Sequence, residues 1–148
     1  MIRFIQNGNI FESKADILLN PVNCVGVMGK GLALEFKKSY PSVFSEYKKL
    51  CESKKMRLGD PVIVENVCLF PTKLHWRDPS YLNDIDIGLK NLAEVLQDCG
   101  LKSVAIPALG CGLGGLKYEE VLSVVLLRTL PLSRDGFDIE IYMPLENQ

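Results

Sequence analysis

The period of apolar and polar positions changes repeatedly along this chain of 148 residues. Ile2–Gln6 alternates, as a half-buried strand does, and Asn7-Gly8-Asn9 closes it with turn chemistry. Ile17–Asn20 begins as a continuous apolar run and predicts a second strand. Around Leu32, Leu34 and Phe36 the pattern predicts a helix from about Lys30 to Ser39, stopped by Tyr40-Pro41. A further helix is expected from Ser42, a candidate N-cap, to about Ser53. Asp60-Pro61 turns the chain into PVIVENVCLF, which reads as two short strands or one bulged strand around Glu65-Asn66. After an irregular PTKLHWRDPS, the residues Leu82, Ile85, Leu89, Leu92 and Leu96 form one helical stripe. Ser80 is its candidate cap, Asp84 and Asp86 lie near its positive end, and Gly100 stops it. Val104–Ile106 predicts a buried strand, Val121–Leu127 a helix apolar all round, and Phe137–Met143 a last strand. Strands alternating with helices imply an α/β fold, a three-layer α/β/α domain with a mixed sheet.

Two of the strand-to-helix junctions are rich in glycine. After Val104–Ile106 come Gly110, Gly112, Gly114 and Gly115, and then the helical KYEEVLSVVLL. Between the second strand and its helix lie Gly26, Gly29 and Gly31, in NPVNCVGVMGKGLALEFKK. Glycines let a backbone approach a ligand and present N–H groups, and a helix N-terminus adds a positive dipole end. The spacing fits neither the dinucleotide fingerprint nor the Walker A loop. Two such loops at the carboxyl ends of strands suit an elongated ligand with two phosphates.

Composition narrows the class. Residues 1–148 suffice for one domain, and 47% hydrophobic with 24% charged residues is an ordinary soluble balance. No apolar run approaches a membrane span and MIRFIQNGN does not resemble a signal peptide, so a cytoplasmic protein without membrane contact is expected. Five cysteines with no C-x-x-C pair, beside one histidine, make a poor metal set, and no metal or other cofactor is implied. Cys24 and Cys111 lie in the glycine loops, where a thiol is either a nucleophile or a small packing residue; no base is evident for the first role. The net charge of −1 hides an asymmetry: residues 1–77 carry twelve Lys/Arg against seven Asp/Glu, and residues 78–148 five against eleven. The basic run from Lys30 to Arg57 is either a solvated helix face or a surface that steers a phosphorylated partner.

Three segments, NPVNCVGVMGKGLALEFKKSYP (20–41), FPTKLHWRDPS (70–80) and IPALGCGLGGL (106–116), together resemble the macrodomains, the ADP-ribose-binding fold. Within them the chain is most similar to the DarG-type DNA ADP-ribosyl glycohydrolases and the related terminal-ADP-ribose protein glycohydrolases. The resemblance implies that Asn23 contacts the distal ribose and that Gly29, Lys30, Gly31 and Leu32 close over ribose and phosphates. It implies a diphosphate loop made of Pro107, Gly110, Cys111, Gly112, Leu113, Gly114 and Gly115. Asn9 and Ile10 fall where many macrodomains hold adenine, with Asn9 in place of the usual Asp, and Lys73 matches the lysine that this branch uses catalytically. Relatives acting on protein carboxylates carry an Asp where this chain has Gly114, which argues against their full mechanism.

The chemistry asks for the same kind of group. Breaking a glycosidic bond to ribose develops positive charge at C1 and needs positioning, a nucleophile or activated water, and a proton for the leaving group. Carboxylate pairs usually serve, yet none lies near the glycine loops. A lysine either attacks an opened ribose aldehyde as an amine or protonates the leaving base. Beyond Lys73, His75, Trp76 and Arg77 either stack on and pair with single-stranded nucleic acid, or place Trp76 in the core and Arg77 on Asp78. The expectation is thus an eraser of ADP-ribose from thymidine in single-stranded DNA, antitoxin to a DarT-type toxin. The alternatives are removal from protein Glu/Asp, or binding of ADP-ribose without turnover.

Overall fold

The computed structural model describes residues 1–111 and 114–144. Six strands form one sheet: β1 (Ile2–Ile5), β2 (Ile17–Asn23), β3 (Val62–Val64), β4 (Val67–Lys73), β5 (Ser103–Ile106) and β6 (Asp138–Tyr142), in the order β1-β6-β5-β2-β4-β3. All neighbours are parallel except the β3–β4 hairpin. The segment PVIVENVCLF therefore makes two strands, joined through Glu65 at φ +55°. A 3₁₀ turn, Ile10–Glu12, leads from β1 to β2.

Side chains alternate across β2: Ile17 and Leu19 enter one core, Leu18 and Val22 the other. The first core lies under α3 (Leu82–Asp98) and α4 (Tyr118–Arg134), the second under α1 (Gly31–Ser39) and α2 (Pro41–Glu52). The expected three layers are present. Phe70 and Gly88 seat α3 tightly on β4, since a Cβ at Gly88 would fall 2.6 Å from the Phe70 ring.

Several local expectations change. The α2 N-cap is Tyr40 with Pro41 as first helical residue, and Ser42 instead bonds Glu65 at 2.7 Å. Tyr81 rather than Ser80 is the N-cap of α3. The helix expected to be apolar all round buries one face through Val121, Val125 and Leu132, while Leu127 is 61% exposed.

The two strands that carry the glycine loops are neighbours whose helices leave to opposite faces, β2 to α1 and β5 to α4. That is a topological switch point, where open parallel sheets bind ligands. The strands also part there: β2–β5 pairing stops at Leu18↔Ala105, while β2–β4 pairing continues to Asn23↔Lys73. Pro21 fits this divergence. Leu18 N–H points to the β4 side, reaching Asn66 O at 2.9 Å, so by alternation position 21 faces β5, beyond the last pair, where no N–H is needed.

Candidate active site

Asn23 ends β2 and organises the first glycine loop. Its Nδ2 donates to Val27 O at 2.8 Å, and its Oδ1 accepts from Val25 N at 3.1 Å and Val27 N at 3.3 Å. Beneath it the fully buried Tyr47 hydroxyl lies 2.8 Å from both Asn23 O and Asn23 Oδ1. An amide has two N–H donors, and one of Asn23's makes no hydrogen bond among the described residues. Burial pushes the Tyr47 phenol far above its ordinary range, with Cys51 adding to the effect, so the hydroxyl stays a donor.

The loop then climbs through Gly29 and Lys30, both exposed, to Gly31, whose φ of +58° only glycine adopts freely and beside which a Cβ would meet nothing within 4 Å. Lys30 caps α1 without a side-chain hydrogen bond, and no acidic residue stands in the first turn. The amides of that turn, including half-buried Leu32, are thus offered to an anion.

The second loop repeats the design on the other face. Pro107 and Gly110 are buried, Gly110 and Gly115 take φ of +70° and +82°, and Gly115 opens onto free space. Leu116 N–H closes the loop on Gly110 O at 3.0 Å. Gly112 and Leu113 lie outside the described residues. A hollow of about 350 Å³ adjoins the loop, walled by Ala108, Cys111, Leu116 and Tyr118 among others.

Lys73 ends β4, half-buried, and is the register partner of Asn23. Val22 pairs with Pro71, so Thr72 is an extra residue at a bulge, with its hydroxyl 3.4 Å from Val22 O. Bulges re-aim side chains beside sites, and this one brings Lys73 level with the base of the first loop. Cys24 N–H continues the ladder to Leu74 O at 2.9 Å.

Beyond Lys73 the chain makes a tight turn. His75 N–H donates to Asp78 Oδ2 at 3.1 Å, and Arg77 N–H donates to His75 Nδ1 at 3.1 Å. Trp76 is 47% exposed, and the Arg77 guanidinium lies 4.6 Å from its ring centroid. Trp76 is therefore not a core anchor, and among the described residues Arg77 makes no ion pair with Asp78. The His75 ring stands 5.0 Å from the indole, so three flat groups form one exposed platform.

At the β1 end, Asn9 Oδ1 accepts from Phe11 N–H at 3.0 Å, which leaves its second lone pair free among the described residues. The Ile10 side chain is 4% exposed and belongs to the core. The thiols in the loops are poor nucleophiles. Burial, with Cys51 adding, pushes Cys24 up to about 11, and burial raises Cys111 as well. None of the lysines from 30 to 57 pairs with a carboxylate among the described residues. Among those residues no helix is long and apolar enough to cross a membrane. Tyr47, Thr72 and Ser80, which hold Asn23, Lys73 and the second loop in place, carry no signal in the sequence that would single them out.

The profile of the family described as Macro domain matches residues 19–125. The DNA ADP-ribosyl glycohydrolase of Mycobacterium tuberculosis is 43% identical over 123 residues, covering 78% of this chain and 35% of that protein. The protein of the same name from Thermus aquaticus is 38% identical over 155 residues, covering 99% and 42%. The chain thus spans well under half the length of these curated relatives. Among solved structures, the macrodomain of Mycobacterium tuberculosis DarG superposes with a TM-score of 0.93 at 39% identity, covering 97% of this chain and 98% of that one. Thermosipho africanus DarTG in complex with ADP-ribose gives 0.89 at 34% identity, covering 99% and 42%.

Proposed function

We propose that this chain, which belongs to the macro domain family, removes ADP-ribose by hydrolysis from a thymidine base of single-stranded DNA, with residues 1–148 acting as one macrodomain. The observation that carries this is the bulge at Thr72, which sets Lys73 beside Asn23 with the Trp76–Arg77 platform just beyond. Relatives at 38% and 43% identity bear the name DNA ADP-ribosyl glycohydrolase, and a similar structure is a complex with ADP-ribose.

In this reading adenosine lies toward Asn9 and Ile10, and the diphosphate lies between the glycine loops, on the N-terminal amides of α1 and the backbone of 107–115. The distal ribose takes the remaining Asn23 N–H and is covered by Gly29, Lys30, Gly31 and Leu32. Lys73 acts at C1, either as a proton donor to the departing base or as an amine condensing with the opened sugar. Water completes the reaction, releasing ADP-ribose and the base with its N–H restored. Trp76 and Arg77 take a neighbouring base and phosphate, His75 supports the indole, and the unpaired lysines of α1 and α2 draw in the strand. The reaction belongs to the cytoplasm, opposite a DarT-type transferase; a fusion protein from Thermosipho africanus joins two such activities in its name.

The test is turnover on thymidine-ADP-ribosylated single-stranded DNA beside glutamate-ADP-ribosylated protein, each with wild type and Lys73→Ala. Lysine-dependent release from DNA alone supports the proposal. Release from protein alone overturns the substrate, and binding of ADP-ribose without release overturns the activity.

A further inference from the structure

Among the described residues two buried side-chain polar atoms lack a hydrogen-bond partner, Asn20 Oδ1 and Ser80 Oγ. They are distant in sequence, yet each touches a glycine loop. The Asn20 amide reaches only Met28 Sδ, at 3.9 Å, in the first. Ser80 is wedged against the second: a Cβ on Gly114 would fall 2.6 Å from Ser80 Oγ, and one on Gly110 would fall 3.3 Å from Ser80 Cβ. The Ser80 backbone is already engaged there, its N–H donating to Gly114 O at 2.9 Å. The hydroxyl alone is idle, on a residue only 4% exposed. An unpaired buried hydroxyl opposes folding, and alanine would fill the same space without that penalty.

We propose that Ser80 is a positioning residue for the second glycine loop, its hydroxyl finding a partner only when a diphosphate settles that loop; this rests on the ADP-ribose reading above. A phosphate draws backbone N–H groups toward itself and turns carbonyls away. Gly110 and Gly115, at φ +70° and +82°, and Gly114, without a side chain, let peptides here rotate with little steric resistance. A carbonyl turned from the ligand in so dry a place needs a donor, and Ser80 Oγ, packed against Gly114, is the unpaired hydroxyl beside the loop.

The experiment compares wild type with Ser80→Ala by calorimetric titration with ADP-ribose and by melting with and without it. The ligand-free melting temperature is expected to stay level or rise, while ADP-ribose binds roughly fivefold to tenfold more weakly. In turnover, KM rises by a similar factor with kcat held. Gly114→Ala, which presses on the hydroxyl from the loop side, is expected to weaken binding less in the Ser80→Ala background than in wild type. Unchanged affinity in Ser80→Ala overturns the proposal, as does a loss of affinity accompanied by a lower ligand-free melting temperature. Additive effects of the two substitutions overturn it too. A wild-type protein that binds no ADP-ribose overturns the site reading itself, whatever Ser80 does.

Discussion

Lys73 stands across from Asn23, where an unbroken register would have placed Thr72. One inserted residue thus puts the lysine at the foot of the loop that Asn23 organises, and the two are held by the same pair of strands. Lys73→Ala is expected to lower turnover at least about a hundredfold, the scale of losing a positioned acid or nucleophile. ADP-ribose affinity should change by less than about threefold, because binding falls to the loops. Single-turnover kinetics with a parallel titration measures both.

Tyr47→Phe removes a buried donor from Asn23 while adding no bulk. Its two acceptors lie 2.8 Å away and the residue is fully buried. A stability loss of about 1–3 kcal/mol is expected, with weaker ADP-ribose binding as the first loop loosens. Urea unfolding at constant m-value checks the first part.

Trp76→Ala should act on the nucleic acid and not on the sugar. The indole is half exposed and carries Arg77 on its face. Base stacking on an aromatic is worth about 1–3 kcal/mol, so kcat/KM on modified single-stranded DNA should fall about fivefold to a hundredfold. Free ADP-ribose should bind as before. Raising salt should weaken the DNA reaction of wild type and Arg77→Ala alike, with a shallower slope for the variant.

Asp86 and Arg128 join α3 to α4 through contacts of 2.6 and 3.2 Å. The Arg128 hydrogen bond holds the Asp86 carboxyl below its ordinary range. A carboxyl depressed in the folded state adds stability above its unfolded pKa, and that stability is lost as pH falls through the folded value. Asp86→Asn should therefore lower the melting temperature at neutral pH by about one to three degrees, the scale of a partly exposed ion pair. The gap should close as pH falls below about 4. Melting curves across pH 2–7 decide it, and a gap constant with pH would contradict the assignment.

The strands, helices and both loops were legible because each rests on a local pattern: runs of apolar residues, three-and-four spacing, and glycine at junctions. Where the pattern misled, a tertiary contact had taken over. Ser42 left its capping role for Glu65, and Ser80 left the N-cap of α3 to Tyr81, its own N–H bonded to Gly114 O in the second loop. The resemblance supplied Asn23 and Lys73, but only the sheet register shows them as partners. Trp76 illustrates a different limit: sequence leaves an aromatic beside an arginine equally suited to core or surface, and its exposure decides. Gly114 is clearer still. Its missing carboxylate reads from sequence as a departure, and the structure adds that a Cβ there would fall 2.6 Å from Ser80 Oγ.

Pro21 gives the crevice a kind of insurance. Past Leu18, β2 lies in the middle of the sheet yet is bare toward β5, an edge enclosed within the molecule. Exposed edges invite pairing, and proteins blunt them with proline. Here the partner to be refused is the neighbouring strand of the same chain. With no N–H to offer at that level, β2 lacks a donor that further pairing with β5 would use, and the divergence of the two strands between the glycine loops is built into the sequence.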